Sequence, residues 1–346
     1  MRQFAIRRLD KELEAKTLRY IDDIAKPKNA LGELERIALQ LALIQEDLHP
    51  ALRKPHHVLF SADHGIERHG VSKSPREVTW QQTLNFKRKG TAIDYLTRQH
   101  DIELVIVDSG VDYDIPKDLG IVDCKIRKGT SDFYSESAMT RVECDRCIDM
   151  GARQSEIAHE KGCNIISFGE MGIANTSASA IWMHLLTGIP MPQCVGAGSG
   201  LHGKDLEHKL KVLEEAVANC RESLDTEGVM RYFGGFEMVM TVGAMLRAAE
   251  LRMAIVVDGF IMTACMLMAS RLCPEVLDYA IFGHKGDEKG HALLLDQLDA
   301  RPILSLGMKL GEGTGAVCAY PIIRSAALML TEMALFNGEN RIEKYF

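Results

Sequence analysis

The chain reads as an α/β protein: a parallel β-sheet with helices on both faces, plus a small helical domain built from both chain ends. Three observations predict this. Short apolar runs recur at residues 57–61, 104–108, 164–168, 254–258 and 279–283, each ending in or followed by glycine, aspartate or serine. Longer stretches at helical spacing separate them, and uninterrupted apolar strands alternating with helices form βαβ units around a sheet buried on both faces. A chain of 346 residues also exceeds what one hydrophobic core usually holds, so a large and a smaller domain are expected.

The elements follow in order. Residues 9–24 are rich in charged helix formers, and Lys26-Pro27 stops them. Leu31, Leu34, Ile37, Ala38, Leu41 and Ile44 then repeat at helical spacing. After the apolar runs come the loops Asp63-His64-Gly65, Asp108-Ser109-Gly110-Val111-Asp112, Gly169-Glu170, Asp258-Gly259-Phe260 and Gly283-His284. Ligands of open α/β sheets bind at the carboxyl ends of the strands, so these loops converge on one edge of a Rossmann-like sheet. Residues 316–335 return to a helical apolar pattern suited to packing on the N-terminal helices. The expected division is 50–309 as the large α/β domain and 1–49 with 310–346 as the small helical one.

Composition narrows the function. The formal net charge of -7 gives no reason to expect nucleic acid or an acidic membrane surface, both of which select basic patches. Residues 1–16 are studded with charges and lack an apolar h-region, so no secretory signal is expected. The longest uncharged apolar stretch, 259–270, is too short to span a bilayer. Nine cysteines without a signal point to reduced thiols and a cytoplasmic protein. Cys144 and Cys147 form the one close pair; they have no second pair or histidine partner at zinc spacing. They sit in a helical pattern with Met139, Val142 and Met150, which favours a structural role.

Two segments carry the chemistry. Gly169-Glu170-Met171-Gly172-Ile173-Ala174-Asn175-Thr176 and Leu310-Gly311-Glu312-Gly313-Thr314-Gly315-Ala316 each set a carboxylate among glycines. Glycine lets a ligand approach backbone N–H groups closely, and the carboxylate can take a proton from what those groups hold. One enzyme site for an anionic ligand is the expectation. Asn175, Thr176 and Ser177 also look like an ordinary capped helix start. A third segment, Val195-Gly196-Ala197-Gly198-Ser199-Gly200-Leu201, precedes a helix at 205–217. Its glycines alternate, which is not the dinucleotide spacing; a phosphate site reached by Lys209 and a plain glycine-rich turn both fit it. His64, His69, His284 and His291 make no zinc motif and are expected to orient loops.

Further segments, taken in order, resemble the nicotinate-nucleotide–dimethylbenzimidazole phosphoribosyltransferase family of cobamide (vitamin B12) lower-ligand activation. They are Lys26-Pro27 with Leu31-Gly32-Glu33-Leu34-Glu35, Ala62-Asp63-His64-Gly65 with Gly70-Val71-Ser72, and Pro75 through Gln81 to Asn85-Phe86. Gly110-Val111-Asp112, Gly129-Thr130, Ala138-Met139-Thr140-Arg141 and Gly169-Glu170-Met171-Gly172 continue the series. It ends with Gly234-Gly235-Phe236-Glu237, Asp258-Gly259-Phe260, Gly283-His284 with Gly290-His291, and Leu306-Gly307-Met308 leading to the Glu312 segment.

The resemblance implies displacement of nicotinate from nicotinate mononucleotide by a benzimidazole nitrogen, giving an α-ribotide. It makes Glu312 the general base, with Glu170 beside it. Two close carboxylates would raise each other's proton affinity. It assigns the phosphate to Gly172, Asn175, Thr176, Gly196, Gly198, Gly200, Lys209 and Gly286, with Gly311 and Gly313 alongside, and the base pocket to Lys73, Ser74, Gln81 and Met171. No cofactor and no metal are implied, because the quaternary nicotinate nitrogen leaves unaided and catalysis is mostly positioning. A homodimer is expected.

Three departures stand out. Gly286 replaces a phosphate-binding serine, a loss of about 0.5–1.5 kcal/mol for one hydrogen bond. Lys73 and Ser74 replace a small residue and an aromatic, and Asn29-Ala30 replace Gly-Ser. The alternatives are one subunit of a heterodimer with a paralogue that transfers to phenol or p-cresol, or a non-catalytic supporting subunit.

Overall fold

The structure, a computed structural model, describes residues 1–198 and 200–336. Its elements are α1 (Lys11–Asp23), α2 (Glu33–Gln45), β1 (His56–Ala62), α3 (Glu77–Arg88), α4 (Ala92–Gln99), β2 (Glu103–Gly110) and β3 (Val122–Asp123). Then come α5 (Arg141–Glu160), β4 (Ile165–Met171), α6 (Asn175–Thr187), α7 (Met191–Cys194), α8 (Lys204–Asn219), α9 (Thr226–Tyr232) and α10 (Phe236–Glu250). β5 (Ala254–Val257), α11 (Phe260–Leu272), β6 (Ala280–Phe282), α12 (His291–Gln297) and α13 (Thr314–Glu332) complete the described chain.

All neighbouring strands pair in parallel, in the order β3-β2-β1-β4-β5-β6. That is the doubly wound order, and the winding reverses between β1 and β4. The expected parallel sheet is present, with one strand more than the apolar runs show: β3 pairs only Val122 and Asp123 with β2, too short for a pattern. Helices cover both faces. α10 lies against β1, β2, β4 and β5 and packs on α5; α3, α4 and α13 pack on the sheet as well. Between them Val58, Phe60, Ile106, Ile166, Phe168 and Ile255 are buried, and the rings of Phe60 and Phe168 stack at 6.4 Å.

The two chain ends meet. α1 packs on α2 and α2 on α13, and an antiparallel bridge joins Ile24 to Leu335, with Ala25 N–H donating to Ala334 O at 2.8 Å. Residues 337–346 of the expected helical unit lie outside the described residues, as does Ser199. The early segment explains itself locally. Lys26 and Glu35 form a buried ion pair at 2.9 Å, and the same Glu35 oxygen accepts from Leu31 N–H at 2.9 Å, closing the turn between α1 and α2. Asn29 has φ 59°, a left-handed value that glycine adopts freely and asparagine tolerates best among the rest.

One helical detail differs from expectation, and the 259–270 stretch is, as expected, too short to span a bilayer. Cys144 and Cys147 are buried on α5, yet Val142, counted in the same apolar pattern, is 77% exposed. Among the described residues, the helix with the length and hydropathy of a membrane span is α13, not the 259–270 stretch. Most of it is buried inside the fold.

Candidate active site

The cleft lies at the carboxyl edge of the sheet, where the strand order reverses. Its cavity volume is about 200 Å³, and its mouth is open to solvent. Two helices begin on its wall, α6 behind Ala174 and α11 behind Gly259, and the turn before α13 borders it at Gly311 and Glu312. Helix N-termini present unpaired N–H groups and positive dipole ends, so this wall suits an anion.

Glu170 is the penultimate residue of β4 and is buried. Ala174 takes the left-handed conformation (φ 77°) at the N-cap of α6 and makes no side-chain cap. Polar side chains at this helix start therefore do something other than capping. The Asn175 amide donates a short hydrogen bond to Glu170 Oε2, and Thr176 Oγ1 accepts from Lys209 Nζ at 2.9 Å. Lys209 is 1% exposed and also donates to Gly196 O at 3.3 Å. Burial pulls its ammonium down to about 8, against the charge of Glu288. The Gly198 N–H donates to Glu288 Oε1 at 2.9 Å, so the glycine segment already holds one oxyanion.

Glu312 sits at the centre of a turn in which Gly311, Glu312 and Gly313 all have left-handed φ, at 82°, 62° and 84°. For the non-glycine residue this costs of order 1–3 kcal/mol, tolerated where the surroundings enforce it. Its Oε1 accepts from Gln82 Nε2 at 2.7 Å. Its Oε2 is buried and has no partner. That leaves a proton acceptor on a residue that lines the cleft.

Burial is the main reason both carboxyls hold protons tightly. It pushes Glu170 up to about 7, opposed by the Asn175 bond and aided by the charge of Glu237. It raises Glu312 too, opposed by Gln82 and aided by Asp258. Contrary to the expectation from their closeness, the two do not raise each other; Glu237 and Asp258 are the like charges that count. Asp258 behaves oppositely. It is fully buried, but His284 at 3.4 Å and the N–H groups of Gly259 and Ala316 outweigh burial and hold it below the usual carboxylate range.

The sequence-derived candidates divide. Glu170, Met171, Gly172, Asn175, Thr176, Gly198, Gly286, Gly311 and Glu312 line the cleft. Gly196 and Lys209 sit directly behind it. Gly313 faces the sheet instead, and Gly200 faces open space. Lys73 and Gln81 are exposed, Ser74 is half-buried, and none of the three is on the cleft wall. Val71 and Ser72 line it instead, and Gln82, one residue past Gln81 on α3, is the amide that reaches Glu312. The Gly286 N–H is committed to His291 Nδ1 at 2.9 Å.

The histidines are engaged with separate partners. His64 meets Glu237 at 2.6 Å, His69 meets Asp132 at 2.6 Å, and His291 meets Thr263 at 3.0 Å. Among the described residues no three His, Cys, Asp or Glu side chains gather as a metal site. The Asp258-Gly259-Phe260 and Gly283-His284 loops reach the expected edge, but Asp258, His284 and Gln82 are not among the sequence-derived site candidates.

Comparison with known proteins agrees with this architecture. A family model described as phosphoribosyltransferase matches residues 6–339. The nicotinate-nucleotide–dimethylbenzimidazole phosphoribosyltransferase of Phocaeicola vulgatus is 53% identical over 346 residues, covering 100% of both chains. The protein of the same name from Cupriavidus taiwanensis is 48% identical over 318 residues, 92% of each chain. Among solved structures, CobT from Thermus thermophilus superposes with a TM-score of 0.92 at 36% identity, over 96% of this chain and 100% of that one. The doubly wound sheet, the cleft at its switch point and these full-length matches lead to one conclusion: the chain belongs to the nicotinate-nucleotide–dimethylbenzimidazole phosphoribosyltransferase family, and it is a phosphoribosyltransferase.

Proposed function

We propose that this chain moves the 5-phosphoribosyl group of nicotinate mononucleotide to a dimethylbenzimidazole-type base, for cobamide assembly. The observation that carries this is the unpartnered, buried Oε2 of Glu312 in a cleft walled by helix N-termini. The acceptor's unprotonated ring nitrogen attacks C1′ from the face opposite nicotinate. The C1′–nicotinate bond breaks, and its electron pair neutralises the quaternary pyridinium nitrogen. The proton on the acceptor's other nitrogen passes to Glu312 Oε2, and the product is the α-ribotide. Glu170, joined to Asn175 and to the Glu312 backbone, fixes the turn and borders the reacting region. The phosphate is assigned to the N-terminus of α6 and the glycine segment, with Lys209 as the cation behind them.

The acceptor pocket is assigned to the apolar wall of Val71, Met171, Ile173, Met308 and Leu310. That surface suits a flat aromatic base. The case for a phenolic acceptor rested on Lys73, Ser74 and Gly286; Lys73 and Ser74 are off the wall, and Gly286, which does line it, has its N–H held by His291. With Glu170 and Glu312 both in the cleft, a merely supporting role is also disfavoured. We place the protein in the cytoplasm as a homodimer that acts without a paralogue; nine free cysteines, six of them buried, fit a reducing compartment. Purified protein, nicotinate mononucleotide and dimethylbenzimidazole, with products read by mass, test this. An α-ribotide from the single protein is expected; product only with phenol, or only after adding a paralogue, would refute it.

A further inference from the structure

His57, in the strand beneath the Glu312 turn, plays no part in the chemistry above, yet it touches the turn directly. It is fully buried, and its Nε2 lies 2.9 Å from the Glu312 carbonyl oxygen. Its Nδ1 lies 2.7 Å from Ser167 Oγ on β4. A carbonyl only accepts, so Nε2 carries the hydrogen; Nδ1 then offers its lone pair, and the Ser167 hydroxyl must donate to it. The tautomer is thereby fixed from both sides. Burial also pulls the imidazole down to about 4, so it stays neutral.

The fit around this contact leaves no room for side chains. A Cβ on Gly313 would come within 2.0 Å of His57 Cε1. A Cβ on Gly169 would lie 2.3 Å from the Glu312 carbonyl oxygen and 2.7 Å from His57 Nε2. Two adjacent strands thus form a seat that accepts only backbone, and the seat grips the one residue of the turn that is strained and not glycine.

We propose that His57 is a positioning residue for the proton-accepting carboxylate: its Nε2–H, aimed by Ser167, pins the Glu312 carbonyl and holds the left-handed turn that points Glu312 at the acceptor. This rests on Glu312 being the base. His57 touches no substrate, so its effect falls on turnover and not on nucleotide affinity.

The test is steady-state kinetics on H57F and H57Q, each alone and combined with E312Q, with melting temperatures recorded. H57F keeps a ring but removes both nitrogens, and kcat is expected to fall about 10–100-fold, the scale of a misplacement of about 1 Å. KM for nicotinate mononucleotide should stay within about twofold, since the phosphate contacts are untouched. H57Q can donate to the same carbonyl, so kcat within about threefold of wild type is expected. On the E312Q background H57F should add almost nothing, because both changes act on one step. A folded H57F with normal kcat, or KM rising in step with the loss of kcat, would overturn the proposal. Where H57F fails to fold, a folded H57Q as slow as E312Q overturns it. An inactive E312Q beside a normal H57F sinks the His57 role alone. An E312Q with full turnover sinks the base assignment, and the His57 role with it.

Discussion

The Glu312 N–H lies 3.4 Å from Oε1 of Glu170, so the two cleft carboxylates are joined through the main chain rather than through charge. Glu170 spends its other oxygen on Asn175. Glu312 keeps one oxygen free. The division of labour follows: one carboxylate builds the turn, and the other is left available for a proton.

E312Q therefore separates binding from chemistry. The amide retains the volume and the turn but cannot accept the acceptor's proton. Turnover is expected to fall by roughly 100-fold or more, the usual scale for losing a general base. Nicotinate mononucleotide affinity by calorimetry should remain within about twofold of wild type. Equal losses in both would refute the assignment.

Glu170 makes stability depend on pH with a definite sign. Burial raises it from 4.5 to about 7, so the folded protein holds a proton that the unfolded chain releases. Its contribution is fully present below pH 4.5, is lost as pH rises towards 7, and is gone above it. The loss amounts to about 3 kcal/mol. Denaturant unfolding of wild type and E170Q from pH 5 to 8 checks this. The variant, which has no proton to lose, should gain on wild type as pH rises. A pH-independent difference would show that Glu170 is not protonated in the fold.

Much of this site was legible from residue order alone, and the rest failed for local reasons. Glycines at strand ends marked the cleft because close backbone approach needs them. Glu312 stood out because a carboxylate between two glycines has little packing purpose. Gln81 rests on the resemblance alone; its neighbour Gln82, about 100° round α3, is the amide that reaches Glu312. Lys73 was placed by its position before Pro75, but which way an exposed loop turns its side chains depends on what packs against it. His57 was hidden inside an apolar strand run, where a histidine reads as core. Its partners, Ser167 and Glu312, are 110 and 255 residues away.

Lys209 gives nucleotide binding its own pH limit. Its ammonium is charged below about 8 and neutral above. If it is the cation behind the phosphate, KM for nicotinate mononucleotide should rise as pH climbs from 7 through 9. In K209M, KM should already be about 10–100-fold higher, the loss of one charge-assisted hydrogen bond or two, and flat over the same range. A wild-type KM that ignores pH across this window would place the phosphate elsewhere.

His64 and Glu237 are both 0% exposed and meet at 2.6 Å beneath the Gly172 loop. They come from the Asp63-His64-Gly65 and Gly235-Phe236-Glu237 segments, so two sequence motifs resolve into one buried contact. Replacing His64 alone leaves the Glu237 carboxyl without its donor in a site that water does not reach. H64F is expected to lose about 3–5 kcal/mol in urea unfolding. Replacing both partners by apolar groups removes the desolvated carboxyl along with its donor, so H64F/E237M should recover much of that loss. The recovery is the informative part. If the double variant is no more stable than H64F, the cost comes from packing around the imidazole and not from an orphaned carboxyl.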